Sequence, residues 1–236
     1  MFFSETFEPW VNDYDSAGRL TFEAILEMLE SISAHHCISV SDNLASRGIS
    51  WVLLDWRIRI LRQPPEFQRL WVRTWVNGSA PGGSTLRNYT VTDREGSELI
   101  KAAARFALVD MKAQRSVRIT EEILRPYEPE ECPVFDSEPA RLREPESFDG
   151  ERDIALRRSD FDFNSHVHNT RYIEFAMEAL PEEEYTGTEY RELRVAYRRA
   201  VTCTDRITVK RKDADNGALF CLYAGGRLCA LAELKK

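Results

Sequence analysis

The sequence has no long apolar run and no features of an exported chain. No stretch of its 236 residues is long and apolar enough to span a bilayer. The first ten residues, MFFSETFEPW, lack the basic start and the apolar middle of a signal peptide. We therefore expect a cytoplasmic protein without a membrane span.

Regularly spaced cysteines are also missing. The five cysteines are an odd number at irregular spacings and form no C-x-x-C pair: Cys37, Cys132, Cys203, Cys221 and Cys229. This spacing argues against a disulfide framework or a zinc site, so we expect buried or idle thiols. Nothing in the sequence points to a metal or an organic cofactor.

An excess of positive charge is absent as well. The net charge of −7 argues against a dedicated nucleic-acid binder, because such proteins are usually basic overall. A hydrophobic content of 43% and a charged content of 30% are typical of an ordinary globular protein. A chain of this length can bury one large core or two smaller ones.

A proline-rich segment divides the chain. Residues 125–148 read RPYEPEECPVFDSEPARLREPESF and hold five prolines among many acids. Proline removes backbone donors and fixes φ, and few apolar residues remain here to be buried. We interpret the segment as a linker or a surface-crossing stretch. The predicted domains are therefore residues 1–125 and 151–236, with the linker at 126–150.

The two halves share one order of elements. In the first half, an apolar stripe at helical spacing predicts a helix after WVNDYDSAGRL, and its members are Phe22, Ile25, Leu26, Leu29 and Ile32. Four strand-like runs follow it, separated by glycine, proline and Asn-Gly. The second half has DFDFNSHV, a helix predicted over residues 169–180, and four strand-like runs with hairpin turns at DADNG and AGG.

The repeat aligns without a gap at an offset of 147 residues, which places Asp15 on Asp162 and Arg19 on His166. The aligned core positions of the two helices are Ile25 with Tyr172 and Leu26 with Ile173. A helix with one apolar stripe and strands with one apolar face can bury these surfaces against each other. We therefore predict an α+β fold in which each sheet wraps around a long helix. Only the second copy has Asn and His after the shared Asp, so we expect the chemistry there and substrate-binding walls in the first copy.

The segment SDFDFNSHVHNTRYIEF places three polar side chains at alternating positions: Asp162, Asn164 and His166. If the segment is extended, its period of two sends all three to one side. A helix then begins with Asn169 near its N-cap, and its free amides favour negative charge. A carboxylate, an amide and an imidazole beside such amides suit attack of water on an acyl carbon. A structural alternative stays open, since Asp and Asn are common capping residues and most single histidines are ordinary polar side chains.

The same segment resembles a family signature. SDFDFNSHVHNTRYI is similar to the pattern S-D-x-D-x-N-x-H-V-N-N-x-x-Y-[IL] of the acyl-acyl-carrier-protein thioesterases, plant and bacterial enzymes that act on fatty acyl chains. Three further segments resemble parts of this family: ISWVLLDWRIRI, DSAGRLTFEAILEMLE and VAYRR. The similarity therefore extends over most of the chain outside the linker. The resemblance implies tandem hotdog domains and catalytic roles for Asp162, Asn164 and His166.

Two positions depart from the family pattern. The plant-type pattern Y-R-x-E-C would place a Glu at Ala200 and a Cys at Val201, and neither residue present can activate water. The pattern H-V-N-N has become H-V-H-N, which makes His168 a weaker candidate to compensate for the absent Glu. Cys203 lies two residues further along the strand, so we do not assign it as a nucleophile.

The resemblance implies hydrolysis of fatty acyl-ACP thioesters to a free fatty acid and the carrier protein. Asp162 would position or activate water, and Asn164 would orient the carbonyl or the carboxylate. His166 would assist proton transfer. The backbone amides near Val167 and His168 would receive the oxyanion.

The acyl chain is expected in an apolar tunnel beside the first helix, with Trp51 and Trp56 in its wall. Plain core packing is the simpler alternative for both tryptophans. The expected partner is an acidic acyl carrier protein, for which the candidate docking residues are Arg171, Arg191, Arg194, Arg198 and Arg199. Solvated strand faces explain most of these arginines equally well.

Two other functions and two assembly states remain open. An acyl-CoA thioesterase would use the same fold, and a non-catalytic acyl-binding protein would agree with the residues at Ala200 and Val201. Two hotdog units in one chain already form a pseudo-dimer. We therefore expect a monomer or a homodimer.

Overall fold

The computed structural model describes residues 1–80, 83–202 and 206–236. These residues form two compact units. The N-terminal unit comprises Met1–Leu20 and Ala24–Glu138, and the C-terminal unit comprises Thr21–Glu23 and Pro139–Lys236. Among the described residues, no helix has the length and hydropathy needed to cross a membrane.

The N-terminal unit combines a long helix with an antiparallel sheet. Its strands are β1 (Phe3–Phe7), β2 (Ile49–Ile60), β3 (Leu70–Ala80), β4 (Ser84–Thr92), β5 (Glu98–Asp110) and β6 (Arg115–Val117). Their order in the sheet is β1-β3-β4-β5-β2, and β6 pairs with β5. The helices are α1 (Phe22–Ser39), which belongs to this unit from Ala24 onward, and the single turn α2 (Glu121–Leu124).

Helix α1 buries the stripe that its sequence predicts. Phe22 is 8% exposed, and the other four stripe residues are at most 2% exposed. Ser33 continues this side of the helix, and its Oγ lies 2.7 Å from Tyr89 Oη on β4. Because Tyr89 is fully buried, this hydrogen bond fixes the helix against the inner face of the sheet.

The C-terminal unit repeats this plan with a shorter helix. Its strands are β7 (Gly150–Ala155), β8 (Glu192–Tyr197), β9 (Arg206–Ala214), β10 (Gly217–Ala224) and β11 (Arg227–Lys235), in the order β8-β11-β10-β9-β7. Helix α3 (Arg171–Glu178) contacts β9, β10 and β11, and α4 (Glu182–Gly187) follows it. The helix predicted over residues 169–180 is present as α3, but it is two residues shorter at each end and has only eight residues. Pro181 explains the interruption, because proline disfavours a helical conformation in the residue before it.

Three strands were not predicted from the sequence. β1 and β7 lie at the ends of their strand orders, and β6 has only three residues. In β7 only Gly150 and Ile154 are even partly buried, so the strand has almost no apolar alternation. An edge strand held mainly by backbone hydrogen bonds leaves little signal in the sequence.

The predicted hairpin turns are present. Gly217 pairs with Ala214 and leaves Asp215 and Asn216 as a two-residue loop between β9 and β10. Ala224 pairs with Arg227 in the β10–β11 hairpin. The intervening residues Gly225 and Gly226 both have positive φ, as tight hairpins of this kind require.

Gly217→Ala should destabilise the protein by about 2 kcal/mol or more. Gly217 has a φ of +141°, and an added Cβ would lie 1.9 Å from the Leu234 carbonyl oxygen. Gly226→Asn is the matched control, because Asn tolerates positive φ and no atom lies within 4 Å of the added Cβ. Urea denaturation should show a clear loss for the first variant and little change for the second. Equal stability of the two variants would contradict the predicted clash.

The proline-rich segment has no regular secondary structure from residue 128 to residue 149. It nevertheless contributes buried side chains, because Tyr127 and Leu142 are 1% and 8% exposed. Within the N-terminal unit, Trp75 Nε1 donates to the Cys132 carbonyl at 3.1 Å. Cys221 and Cys229 are buried, Cys132 is exposed, and Cys203 lies outside the described residues.

Candidate active site

The three predicted catalytic residues lie on one tight turn. A single β-bridge pairs Phe161 with Val167 and closes the turn. Inside it, the Asp162 amide donates to the His166 carbonyl at 2.7 Å, and the Ser165 amide donates to the Asp162 carbonyl at 2.9 Å. Ser165 has a φ of +59°. The segment is therefore not extended, and the alternating polar residues belong to a turn.

The Asp162 side chain organises this turn. Its Oδ1 accepts hydrogen bonds from the backbone amides of Asn164 at 2.8 Å and His166 at 3.0 Å. Asp commonly stabilises turns by accepting such local amides. Among the described residues, no donor reaches its Oδ2. One carboxylate oxygen is thus fixed, and the second is available to a ligand or to water.

Asn164 and His166 contribute their backbone amides to the turn. Asn164 is exposed and His166 is partly buried. Within the described part of the chain, neither side chain forms a hydrogen bond. The structure therefore brings the three predicted residues together through the backbone without linking their side chains.

The same turn occurs in the N-terminal unit at the predicted offset. Asp15 Oδ1 accepts the amides of Ala17 and Arg19, both at 2.9 Å. A β-bridge between Tyr14 and Leu20 closes this turn in the same way. Here, however, Asp15 Oδ2 is occupied by Arg19 Nε at 2.7 Å. The replacement of this arginine by histidine in the second copy leaves the corresponding oxygen available.

The backbone amides predicted to bind the oxyanion are already occupied. Val167 N–H donates to the Val201 carbonyl and His168 N–H donates to the Asp160 carbonyl, both at 2.9 Å. These bonds anchor the turn to its neighbours. The prediction that the two amides receive an oxyanion is therefore wrong for this structure.

The predicted start of the second helix also changes. Thr170 is the N-cap residue of α3, and Asn169 precedes it. Thr170 is fully buried, and its Oγ1 lies 3.0 Å from His168 Nδ1. This contact fixes the imidazole of His168 beside the helix start.

The departures from the family pattern lie close to the turn. Ala200 is exposed, whereas Val201 is 2% exposed. The Val201 carbonyl accepts the Val167 amide, and the Val201 backbone amide donates to the Tyr172 hydroxyl oxygen; burial raises the pKa of that hydroxyl. Residue 201 therefore supports the turn through its backbone, and neither side chain at these two positions offers an acid.

Asp160 has a structural role just before the turn. The carboxylate is fully buried, and Arg157 binds it through Nη2 at 2.8 Å and Nε at 3.0 Å. The Arg157 amide also donates to it at 2.7 Å. These bonds raise the pKa of the Arg157 guanidinium. Asp13 binds the Trp10 amide at the corresponding position of the first copy.

The predicted substrate-binding residues have different environments. Trp51 lines a cavity in the N-terminal unit, and its Nε1 donates to Asp42 Oδ2 at 2.9 Å. Trp56 is 1% exposed and packs against Tyr89, which agrees with plain core packing. Arg198 is exposed, and its Nη2 donates to the Leu142 carbonyl at 3.4 Å. A docking role for Arg198 stays a prediction.

A buried polar cluster beside the same cavity was not predicted. His36 on α1 is fully buried, and its Nδ1 lies 2.8 Å from Nη1 of Arg87 on β4. The sequence held one signal for it: His36 follows Ile32 by four residues and so extends the apolar stripe of α1. In the described residues, no group of three or more His, Cys, Asp or Glu side chains could hold a metal ion.

Comparison with known proteins relates both halves of the chain to one family. A model described as "Acyl-ACP thioesterase N-terminal domain" matches residues 1–127, and one described as "Acyl-ACP thioesterase C-terminal domain" matches residues 144–224. An acyl-[acyl-carrier-protein] hydrolase of Cuphea viscosissima is 27% identical over 195 residues, which cover 76% of this chain and 47% of the relative. An oleoyl-acyl carrier protein thioesterase of Coriandrum sativum is 23% identical over 239 residues, which cover 91% of this chain and 64% of the relative.

Solved structures agree with this relationship at the level of the fold. An acyl-ACP thioesterase from Bacteroides thetaiotaomicron has a TM-score of 0.90 at 21% identity, with 99% of this chain and 97% of that chain covered. A 12:0-ACP thioesterase from Umbellularia californica has a TM-score of 0.89 at 19% identity, with coverages of 99% and 96%. The predicted tandem hotdog fold is confirmed. Although the chain spans only about half to somewhat under two thirds of the plant relatives' length, both family models match it, and it belongs to the acyl-ACP thioesterase family.

Proposed function

We propose that the protein hydrolyses fatty acyl-ACP thioesters to a free fatty acid and the carrier thiol. The observation that carries this proposal is the Asp162 carboxylate, which has one oxygen fixed by two backbone amides and the other available. Family membership of both halves supports the choice of substrate class. The names of the relatives, which include an acyl-[acyl-carrier-protein] hydrolase, agree with it.

We assign Asp162 as the general base that activates water. Its available Oδ2 accepts a proton from water as the water oxygen bonds to the acyl carbon. The carbon–sulfur bond then breaks, and the sulfur leaves as the carrier thiol after it gains a proton. His166 is the proton carrier in this scheme, because its imidazole is part of the same turn and forms no hydrogen bond to the described residues.

The oxyanion requires a donor other than the amides of Val167 and His168. The side-chain amide of Asn164 is exposed on the same turn and offers two N–H donors. We therefore assign the Asn164 side-chain amide as the hydrogen-bond donor to the thioester carbonyl oxygen. Removal of a single oxyanion donor costs roughly a hundredfold to a thousandfold in kcat in other hydrolases.

The N-terminal unit supplies the acyl-binding role in this proposal. Its cavity is about 170 Å³, is mostly apolar and includes Trp51 in its wall. Ligand sites are usually apolar concavities with a few polar groups, which supports this assignment. The carrier protein is the proposed partner, and exposed arginines such as Arg198 are its candidate contacts.

A turnover comparison on matched carriers tests the proposal. Purified protein should release free acid from acyl-ACP with kcat/KM at least about tenfold above that for acyl-CoA of the same chain length, because carrier contacts add binding energy. A panel of chain lengths identifies the preferred acyl group, and reactions without protein give the background. Equal or better turnover of acyl-CoA would favour the CoA thioesterase, and absence of release from every substrate would exclude hydrolysis.

A non-catalytic acyl-binding protein is the second candidate, and one observation favours it. Asp15 and Asp162 accept equivalent pairs of backbone amides in their two turns. The presence of Asp162 is therefore explained by turn structure alone. Under this alternative, acyl-ACP would bind tightly and no product would appear.

A further inference from the structure

The cavity of the N-terminal unit is small, mostly apolar and lined in part by charge. Its volume is about 170 Å³, and its wall includes Ser33, Cys37, Trp51, Arg87, Phe106 and Tyr127. An apolar protein cavity of about 150 Å³ accepts benzene, a ligand of six carbon atoms. The space therefore suits an apolar group of about six carbons.

Arg87 belongs to this wall and has no anionic partner among the described residues. The residue is only 5% exposed. Its contacts are His36 Nδ1 at 2.8 Å, Thr74 Oγ1 at 3.5 Å and the Tyr127 ring at 5.4 Å. Among the described residues, no carboxylate pairs with it. A guanidinium stays charged in proteins, and a buried charge without a counter-charge is costly.

Asp42 is present in the same cluster, but it is bound by other groups. Its Oδ2 accepts hydrogen bonds from Trp51 Nε1 at 2.9 Å and from the Tyr127 hydroxyl. Its Oδ1 accepts the Leu44 amide at 2.9 Å. These donors are neutral, and no ion pair joins Asp42 to Arg87 among the described residues. The carboxylate of the cluster therefore does not neutralise the Arg87 guanidinium.

His36 adds a second unused donor. Because Arg87 can only donate, Nδ1 of His36 must accept, and the ring proton lies on Nε2. This Nε2 is buried and has no hydrogen-bond partner in the described residues. Burial and the charge of Arg87 lower the pKa of His36 to about 4, so the ring is neutral at pH 7. The cluster therefore offers more donors than acceptors.

We propose that this cavity binds a short alkyl carboxylate, with its chain against the apolar wall and its carboxylate on Arg87. A carboxylate matches the planar guanidinium and supplies the missing negative charge. Two sources offer such a group. One is a free carboxylic acid, which is the product class of the proposed reaction, and the other is the far carboxyl group of a dicarboxylic acyl chain.

An NMR titration tests the site without any assay of hydrolysis. Hexanoate and hexan-1-ol are titrated into ¹⁵N-labelled full-length protein while amide shifts on α1 and β4 are followed. Hexanoate should bind at least about tenfold more tightly than hexan-1-ol, because a charge-assisted bond to Arg87 is available only to the acid. Equal affinities for the two ligands, or the absence of shifts near the cavity with hexanoate, would overturn the proposal.

Two variants test whether Arg87 causes the preference for hexanoate over hexan-1-ol. Arg87→Met should abolish this preference while hexan-1-ol still binds weakly. Arg73→Met changes an exposed arginine on the neighbouring strand β3 and should leave the preference unchanged. A persistent tenfold preference in Arg87→Met would remove Arg87 from the site. If Arg87→Met does not fold, the comparison of acid and alcohol in the wild type still decides the proposal.

A kinetic experiment distinguishes a free carboxylic acid from the far carboxyl group of a dicarboxylic acyl chain. Of the three experiments, it alone rests on the proposed function. Faster hydrolysis of adipyl-ACP than of hexanoyl-ACP, lost in Arg87→Met, would identify the acyl chain as the source of the carboxylate. Inhibition by hexanoate without an advantage for adipyl-ACP would identify the free acid. If neither thioester is hydrolysed, the proposed function fails while the titration still reports on the site.

Discussion

Asp162→Asn should lower kcat for acyl-ACP hydrolysis by roughly a hundredfold to ten-thousandfold, the usual range for loss of a general base. The substitution keeps an oxygen at the Oδ1 position, so the amides of Asn164 and His166 retain their acceptor. The fold should therefore change little, and the loss is attributable to the missing charge. Steady-state kinetics together with thermal denaturation measure the two effects separately.

Asp15→Asn is the matched control, since it makes the same change in the equivalent turn of the N-terminal unit. Asp15 also binds Arg19 Nε at 2.7 Å, so this variant should lose at least as much stability as Asp162→Asn. Its kcat should nevertheless stay within about threefold of the wild type, since we assign it no role in the reaction. Equal losses of activity in the two variants would assign both carboxylates a structural role, and full activity in Asp162→Asn would remove Asp162 from the mechanism.

Acidification should destabilise the protein through His36. Burial first, then Arg87 and the N-terminal ammonium group, lower the pKa of His36 from 6.5 to about 4. In the unfolded chain His36 therefore binds a proton near pH 6.5, whereas in the folded chain it binds one only near pH 4. The free energy of unfolding is fully retained above pH 6.5 and falls as the pH decreases towards 4. The loss reaches at most about 2.5 kcal/mol by pH 4.5.

His36→Gln isolates this effect, because glutamine offers Arg87 an acceptor and does not titrate. Urea denaturation at pH 7 and pH 4.5 should show a smaller loss for this variant than for the wild type. His35→Gln is the control, since His35 is the adjacent exposed residue and pairs with Glu5 at 2.7 Å. It should follow the wild type at both pH values. A loss in His36→Gln as large as that of the wild type would contradict the assignment to His36.

The elements with strong periodicity were predictable from the sequence. The apolar stripe of α1 and the alternation at the end of β2 each reflect one buried face, which local spacing reveals. The edge strand β7 was missed because backbone pairing, and little apolar burial, determines it. The edge strand β1 does alternate, but over only five residues. The length of α3 was overestimated because the polar residues before it form a turn and Pro181 follows it closely.

The sequence identified the segment that holds the candidate residues but did not predict that it forms a turn. Alternation of Asp162, Asn164 and His166 is compatible with a strand and with a turn, and only the capture of two amides by one oxygen decides between them. The pair of His36 and Arg87 was not predictable, because the two residues lie 51 positions apart in the chain. No local pattern encodes such a contact.

The duplicated turn has a consequence for how the two halves diverged. One oxygen of Asp15 or Asp162 accepts two main-chain amides in each loop, so residues 17 and 19, or 164 and 166, participate through an atom that every amino acid except proline possesses. Arg19 adds a side-chain bond to the second oxygen of Asp15. Substitutions at residues 17, 164 and 166 should therefore carry little risk of unfolding. Two turns of one main-chain design can in this way present different side chains to their surroundings.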